Sequence, residues 1–240
     1  MDDMRISEIY GPVRQGEGAL LGVAMPFVRT AACNLACSWC DSRYTWEPGY
    51  AYTEMTVDEV VARVEALLGD CRWVALTGGE PTIQHDAGLF VERLAARNLR
   101  VIVETNGLRN CSWFALPHVF VSCSPKLPAS GQDTPARRRK IARLVQARMA
   151  SADLRARTQW KFVIADQTDL DALIPYCADV GIDLSGAPDS IPVYVQPDGY
   201  VQPTEQYLRM LRWLQEYAPS GVRVTPQVHR LVHGPDARAV

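Results

Sequence analysis

Trp73-Val74-Ala75-Leu76-Thr77-Gly78-Gly79-Glu80-Pro81 is the stretch on which the fold turns. An apolar run too short for a helix stops at two glycines. Such a run, without polar alternation, predicts a strand buried on both faces of a parallel sheet. The flanking text repeats the arrangement. Upstream, Thr56-Val57-Asp58-Glu59 reads as a capping box. It opens a helix with Val60, Val61, Val64, Leu67 and Leu68 on one stripe, ended by Gly69. Downstream, a helix with Leu89, Phe90, Val91, Leu94 and Ala95 inward precedes the strand Val101-Ile102-Val103-Glu104-Thr105, which stops at Asn106-Gly107.

Further strands are expected at Val119-Phe120-Val121-Ser122, Trp160-Lys161-Phe162-Val163-Ile164, Ile191-Pro192-Val193-Tyr194-Val195 and Val222-Arg223-Val224. Helical text lies at 133–157, at 170–180 and from Pro203 to Tyr217. Ahead of all these come two shorter strand-like runs, Ile6–Tyr10 and Pro26–Thr30. Between those two, the glycine-dense text Gly11–Gly18 reads as a loop. Strand followed by helix, repeatedly, predicts an α/β chain with a parallel sheet. Polar and glycine-rich text recurs where strands end, the place where such sheets collect ligands. A partial (β/α) barrel with about six parallel strands is the expectation, in one domain over 1–240. A doubly wound sheet is the alternative, because closure is not legible in sequence.

The chain of 240 residues has 25 Lys and Arg against 27 Asp and Glu, a net charge of −2. That balance argues against a broad nucleic-acid or anionic-membrane footprint. No run of about 18 apolar residues suggests a membrane-spanning helix. Eight cations are concentrated at 137–157, where a solvated helix face is the default and a docking face for an acidic partner the alternative.

Seven cysteines are present, and three fall in Cys33-Asn34-Leu35-Ala36-Cys37-Ser38-Trp39-Cys40. Cys71, Cys111, Cys123 and Cys177 are scattered and read as reduced, buried thiols, which places the chain in a reducing cytoplasm. Three thiolates do not close a four-coordinate zinc site. They suffice for three irons of a four-iron cluster, leaving one iron open. The text continues Asp41-Ser42-Arg43-Tyr44-Thr45-Trp46.

The C-x3-C-x2-C spacing, together with Gly78-Gly79-Glu80-Pro81, resembles the radical S-adenosylmethionine superfamily. The resemblance implies a [4Fe-4S] cluster on Cys33, Cys37 and Cys40, with S-adenosylmethionine on the open iron. It implies that Gly79 and Glu80 receive the methionine amine, that Glu104 meets the ribose and that Trp39 packs near the adenine. Ser124, Pro125, Lys126, Gln196, Pro197, Asp198 and Gly199 complete that S-adenosylmethionine set at further strand ends. The radical chemistry belongs to the cofactor, so no side chain is expected to be the catalytic group.

Within the superfamily the chain is similar to the 7-carboxy-7-deazaguanine synthases. The residues that carry this are Gln15-Gly16-Glu17-Gly18, Phe27-Val28-Arg29-Thr30, Cys37-Ser38-Trp39-Cys40-Asp41-Ser42, Ser124-Pro125-Lys126 and Pro226-Gln227-Val228-His229. The similarity implies ring contraction of 6-carboxy-5,6,7,8-tetrahydropterin with loss of ammonia, on the route to queuosine and other deazapurines. It implies that Arg29 pairs with the substrate carboxylate, that Arg14, Gln15, Gly16 and Thr77 read the pterin edge, and that Val240 reaches the site. It implies Mg²⁺ on the Ser42 hydroxyl, a flavodoxin or ferredoxin as reductant, and a homodimer. His229 reads equally as a substrate contact or a structural histidine. Two rivals remain at this stage. An activase of a glycyl-radical enzyme needs the cysteine loop but not Gln15–Gly18 or an inward Arg29. A non-enzymatic iron–sulfur or zinc protein leaves Gly78–Pro81 without a purpose.

Overall fold

The computed structural model describes residues 3–199 and 203–234. Nine strands form one sheet: β1 (Asp3–Arg14), β2 (Ala24–Thr30), β3 (Thr53–Thr56), β4 (Trp73–Gly78), β5 (Arg100–Thr105), β6 (Val119–Cys123), β7 (Thr158–Ile164), β8 (Val193–Pro197) and β9 (Arg223–Val224). Their spatial order is β3-β1-β2-β4-β5-β6-β7-β8-β9. From β2 to β9 every neighbouring pair is parallel, and β1 pairs antiparallel with both β2 and β3. The sheet is not closed, since β3 and β9 stand at its two edges.

The helices are α1 (Val57–Leu68), α2 (Ala87–Ala95), α3 (Pro135–Met149), α4 (Ala152–Ala156), α5 (Gln167–Val180), α6 (Thr204–Tyr217) and α7 (Val228–His233). The capping box of α1 forms as its sequence predicts: Thr56 accepts from the Glu59 amide while Glu59 accepts from Thr56. The helical text at 133–157 divides into α3 and α4, because Ser151 caps a fresh start at Ala152 by accepting from the Leu154 amide.

Two expectations change at the N-terminus. Gly11–Arg14 belongs to β1 rather than to a loop, because β2 extends the pairing through Val13↔Met25 and Arg14↔Ala24. Gly11 sits at φ +114 in the irregularity between Tyr10 and Val13, a backbone geometry that favours glycine. The strand β3 had no sequence expectation. It is short, mostly exposed and held by pairing to β1.

Strand alternation separates two apolar layers. Val28, Leu76, Val103 and Val121 face the helices in the larger core. Phe27, Ala75, Ile102 and Phe120 face the other way, in a smaller cluster on the concave side. Two residues further along the same strands, on the same side, the chemistry turns polar: Arg29, Thr77, Glu104 and Ser122. The apolar layer is therefore a floor, and the polar row above it opens toward the strands' C-terminal ends.

Candidate active site

The polar row is knitted by its own hydrogen bonds. Arg29 lies in register with Thr77, and Glu104 with Ser122, which pairs in turn with Gln159 of β7. Thr77 Oγ1 donates to Glu104 Oε2 at 2.7 Å, and Gln15 Nε2 donates to Glu104 Oε1 at 2.9 Å. Gln159 Nε2 donates to Ser122 Oγ at 2.8 Å, while its Oε1 accepts from the Ala19 amide. Glu104, expected at a ribose, thus sits with Gln15 and Thr77, two of the four residues expected to read the pterin. Arg29 donates to Tyr10 Oη at 3.0 Å, and its Nε lies 3.5 Å from a Glu8 carboxylate oxygen. Burial works against the Arg29 charge, but Tyr10, Tyr44, Asp41 and Glu8 outweigh it and hold the guanidinium more firmly charged than usual.

Cys33, Cys37, Trp39 and Cys40 of the cysteine loop line this cavity, with Gly79 beside the start of the loop. The Gly79 amide donates to Thr30 O and the Glu80 amide to Ala32 O, so the end of β4 is stitched to the start of the loop. A Cβ on Gly79 would lie 2.1 Å from the Ala32 carbonyl oxygen, so close backbone packing is what demands glycine there. Glu80 is placed differently from Gly79. It is 1% exposed and does not line the cavity. Its carboxylate accepts from Thr82 N, Thr82 Oγ1, Thr105 Oγ1 and Asn106 N, at 2.6–3.1 Å. It is a brace between the ends of β4 and β5.

The cavity is also lined by Glu17, Lys161 and Gln227, to which the sequence reading gave no role of their own. Lys161 of β7 and Glu17 form a buried ion pair, and Gln227 Nε2 donates to Glu17 at 2.6 Å. Burial alone would raise the Glu17 carboxyl; Lys161, then His229 and Gln227, hold it down at about 2. His229 packs on the Gln15–Gly18 loop: a Cβ on Gly16 would lie 2.4 Å from its Nδ1, and the Val228 amide donates to Gly16 O. The side-chain oxygens of Gln196 and Gln227 are buried with no partner among the described residues. The sequence signal for Ser122 was a polar residue two positions beyond the inward Phe120, and for Gln159 and Lys161 it was their alternation with the core residues Trp160 and Phe162.

Sixteen of the expected site residues line one cavity: Arg14, Gln15, Gly16, Arg29, Cys33, Cys37, Trp39, Cys40, Ser42, Thr77, Gly79, Glu104, Ser124, Lys126, Gln196 and Gly199. Besides Glu80, the exceptions are Pro125, Pro197 and Asp198, which do not line it. Pro197 pairs with Ile164, and the Asp198 amide donates to Ile164 O, so both continue the β7–β8 ladder. Val240 lies outside the described residues.

The donor set fits an iron–sulfur cluster. Burial raises the Cys33 thiol to about 12 and the Cys37 thiol upward, a penalty that metal ligation removes. Lys126, 5.1 Å from the Trp39 ring centre, is a cation whose charge favours both thiolates. Two N–H groups already point at sulfur: Leu35 N at 3.4 Å from Cys33 Sγ, and Trp46 Nε1 at 3.2 Å from Cys40 Sγ. Among the described residues no three His, Cys, Asp or Glu side chains converge as ligands of a single ion. The Trp39 indole N–H, on this loop, is buried without a partner among the described residues and is free to donate to a bound cofactor.

A family model described as the radical SAM superfamily matches residues 27–115. The 7-carboxy-7-deazaguanine synthase of Thermoplasma acidophilum is 32% identical over 96% of this chain and 98% of its own length. That of Bacillus subtilis is 40% identical over 52% of each chain. The crystal structure of QueE from Escherichia coli shares the fold, with a TM-score of 0.64 at 21% identity over 95% of both chains. By its extended similarity to such relatives, the chain belongs to the 7-carboxy-7-deazaguanine synthase family of radical SAM enzymes.

Proposed function

We propose that the chain converts 6-carboxy-5,6,7,8-tetrahydropterin to 7-carboxy-7-deazaguanine with loss of ammonia. The carrying observation is the cavity's polar row, in which a charged Arg29 stands at one end and the Glu104–Thr77–Gln15 cluster beside it. A planar guanidinium suits a carboxylate. The Glu104 carboxylate, accepting from protein donors on both oxygens, has lone pairs left for the adjacent ring and amino N–H groups of an aminopyrimidinone edge. Phe27, stacked on Tyr10 at 5.3 Å between ring centres, gives the substrate an apolar bed.

Cys33, Cys37 and Cys40 are the residues to hold the cluster, with Trp39, Gly79, Ser124 and Lys126 around S-adenosylmethionine. When bound, this pair supplies one-electron cleavage of a sulfonium and hydrogen-atom abstraction from the substrate. The chain's residues orient the pterin and exclude water from that event. Ser42 donates to Asp41 Oδ1 at 3.0 Å, putting a hydroxyl and a carboxylate together at the rim, and this supports Mg²⁺ there. No described helix is long and apolar enough to cross a membrane. The cytoplasmic setting, the homodimer and a flavodoxin or ferredoxin reductant are carried by the family resemblance.

Substitution Arg29→Ala tests the reading. Carboxypterin affinity should fall about 10- to 100-fold, the range for losing a hydrogen bond to a charged group. Iron and sulfide per chain should stay at the wild-type level. Unchanged affinity, or loss of the cluster with it, would contradict the assignment.

A further inference from the structure

The eight cations between 137 and 157 divide in two once their contacts are known. Arg148 and Arg157 are buried, donating to backbone carbonyls of the 114–119 segment and of the α4 region. Arg155 donates to Met149 O, and Arg137 to Gln132 O. Arg138 pairs with Asp133 and Asp179. Arg139, Lys140 and Arg143 remain. All three are exposed, and they carry no ion pair among the described residues. Arg139 and Arg143 fall on the side of α3 opposite its buried Ile141, Leu144 and Val145, with Lys140 on the flank, and residues 134–150 contain no acidic side chain. On a chain of net charge −2 this is a concentrated positive face, with Asp133 and Asp179 beside Arg139 but paired to Arg138.

Its position gives it meaning. The N-terminal approach to α3 is bonded to the outer side of the cysteine loop. Gln132 Nε2 donates to Ala36 O at 3.0 Å, Ser38 Oγ to Ala129 O at 2.7 Å, and the Ser38 amide to Ser130 O at 3.1 Å. On that loop Asn34, Ala36 and Ser38 are exposed while Leu35 and Cys37 are buried. The cluster-binding loop thus shows one side to solvent. Lys140 follows the α3 cap at Thr134 by about 9 Å of helix, and Arg143 by about 14 Å.

We infer that Arg139, Lys140 and Arg143 form the docking face for a small acidic protein that donates electrons to the cluster through the exposed side of the cysteine loop. This rests on the proposed radical SAM reaction, which needs one electron from outside the chain. The donor is oxidised by one electron, and the cluster is reduced by one. Opposite charge placed next to the electron's entry point raises the encounter rate and orients the donor, with little effect on chemistry further inside. Among the described residues the cations that line the cavity, Arg14, Arg29, Lys126, Lys161 and Arg230, all have internal hydrogen-bond or ion-pair partners.

The test is stopped-flow reduction of the reconstituted holoprotein by a flavodoxin hydroquinone, followed by bleaching of the cluster absorbance across a salt series. The triple variant Arg139→Glu/Lys140→Glu/Arg143→Glu should be reduced about tenfold or more slowly at low salt, with a flattened salt dependence. Reduction of the same variant by dithionite should match wild type. Equal flavodoxin rates and salt slopes for the two proteins would overturn the proposal. So would an equal slowing by dithionite, which would assign the loss to a disturbed cluster. Binding of an RNA oligomer by this face, with flavodoxin reduction unaltered, would also overturn it. Product formation by dithionite-reduced wild type tests the reaction separately from the face.

Discussion

Trp46 shows how much a single side chain can add to a motif. Its indole N–H donates to Cys40 Sγ at 3.2 Å, and an indole has no other polar role. Hydrogen bonds to cluster sulfurs are among the levers that set the reduction potential, because they favour the more negative, reduced state. Trp46→Phe keeps a ring over the loop and removes the donor. We expect the cluster's midpoint potential to move to more negative values in an anaerobic redox titration followed by paramagnetic resonance. An unchanged midpoint would mean that the bond does not survive cluster loading. In the sequence Trp46 was only the last residue of a polar-aromatic run. The three cysteines were legible because their spacing is short and local. A donor six residues on, reaching back across a turn, has no spacing rule to announce it.

The strand ends make the corresponding point for elements. Gly78-Gly79-Glu80-Pro81 was read as a ligand-facing turn, and Gly79 does line the cavity. Yet Gly79 is confined by the Ala32 carbonyl, and Glu80 is consumed by Thr82, Thr105 and Asn106. The motif joins three elements, β2, β4 and β5, at the root of the cysteine loop. Gly79→Ala should therefore lower stability by about 1–3 kcal/mol, the usual range for overpacking, and lower the iron retained per chain after reconstitution. Chemical denaturation and iron analysis check this; wild-type values for both would contradict it. Most strands and helices were legible from apolar runs and caps, since those are properties of neighbouring residues. Gly11–Arg14 and β3 were not, because each is a strand only by virtue of a partner elsewhere in the chain.

At the scale of the molecule, the open sheet has to gather distant segments around one cavity. Glu17, Lys161 and Gln227 do this, joining the first loop, a central strand and the approach to the last helix. No local pattern links positions separated by 144 and 210 residues, so sequence reading placed Glu17 and Gln227 in motifs without seeing their contact. The pair also sets a pH dependence. Glu17 at about 2 lies below its ordinary 4.5, so its contribution to stability is full above 4.5 and is lost as the pH falls toward 2. Lys161 is raised above its ordinary 10.5, because Glu17 and Glu104 outweigh burial; its contribution is full below 10.5 and is lost at higher pH. The double variant Glu17→Gln/Lys161→Met should lose less stability than wild type between pH 4.5 and 2 in urea titrations. Parallel losses would show that the pair does not carry this acid sensitivity.

These scales meet in the proposed reaction, in which the cysteine loop would hold the group that generates the radical and the polar row would orient the pterin. The most direct measurement is product analysis after anaerobic reconstitution, reduction with dithionite, and addition of S-adenosylmethionine, Mg²⁺ and 6-carboxy-5,6,7,8-tetrahydropterin. The account predicts 7-carboxy-7-deazaguanine and ammonia in equal amounts, both abolished in the Cys37→Ala variant. Slow release of 5′-deoxyadenosine with no deazapurine, from a protein carrying its full complement of iron, would contradict it.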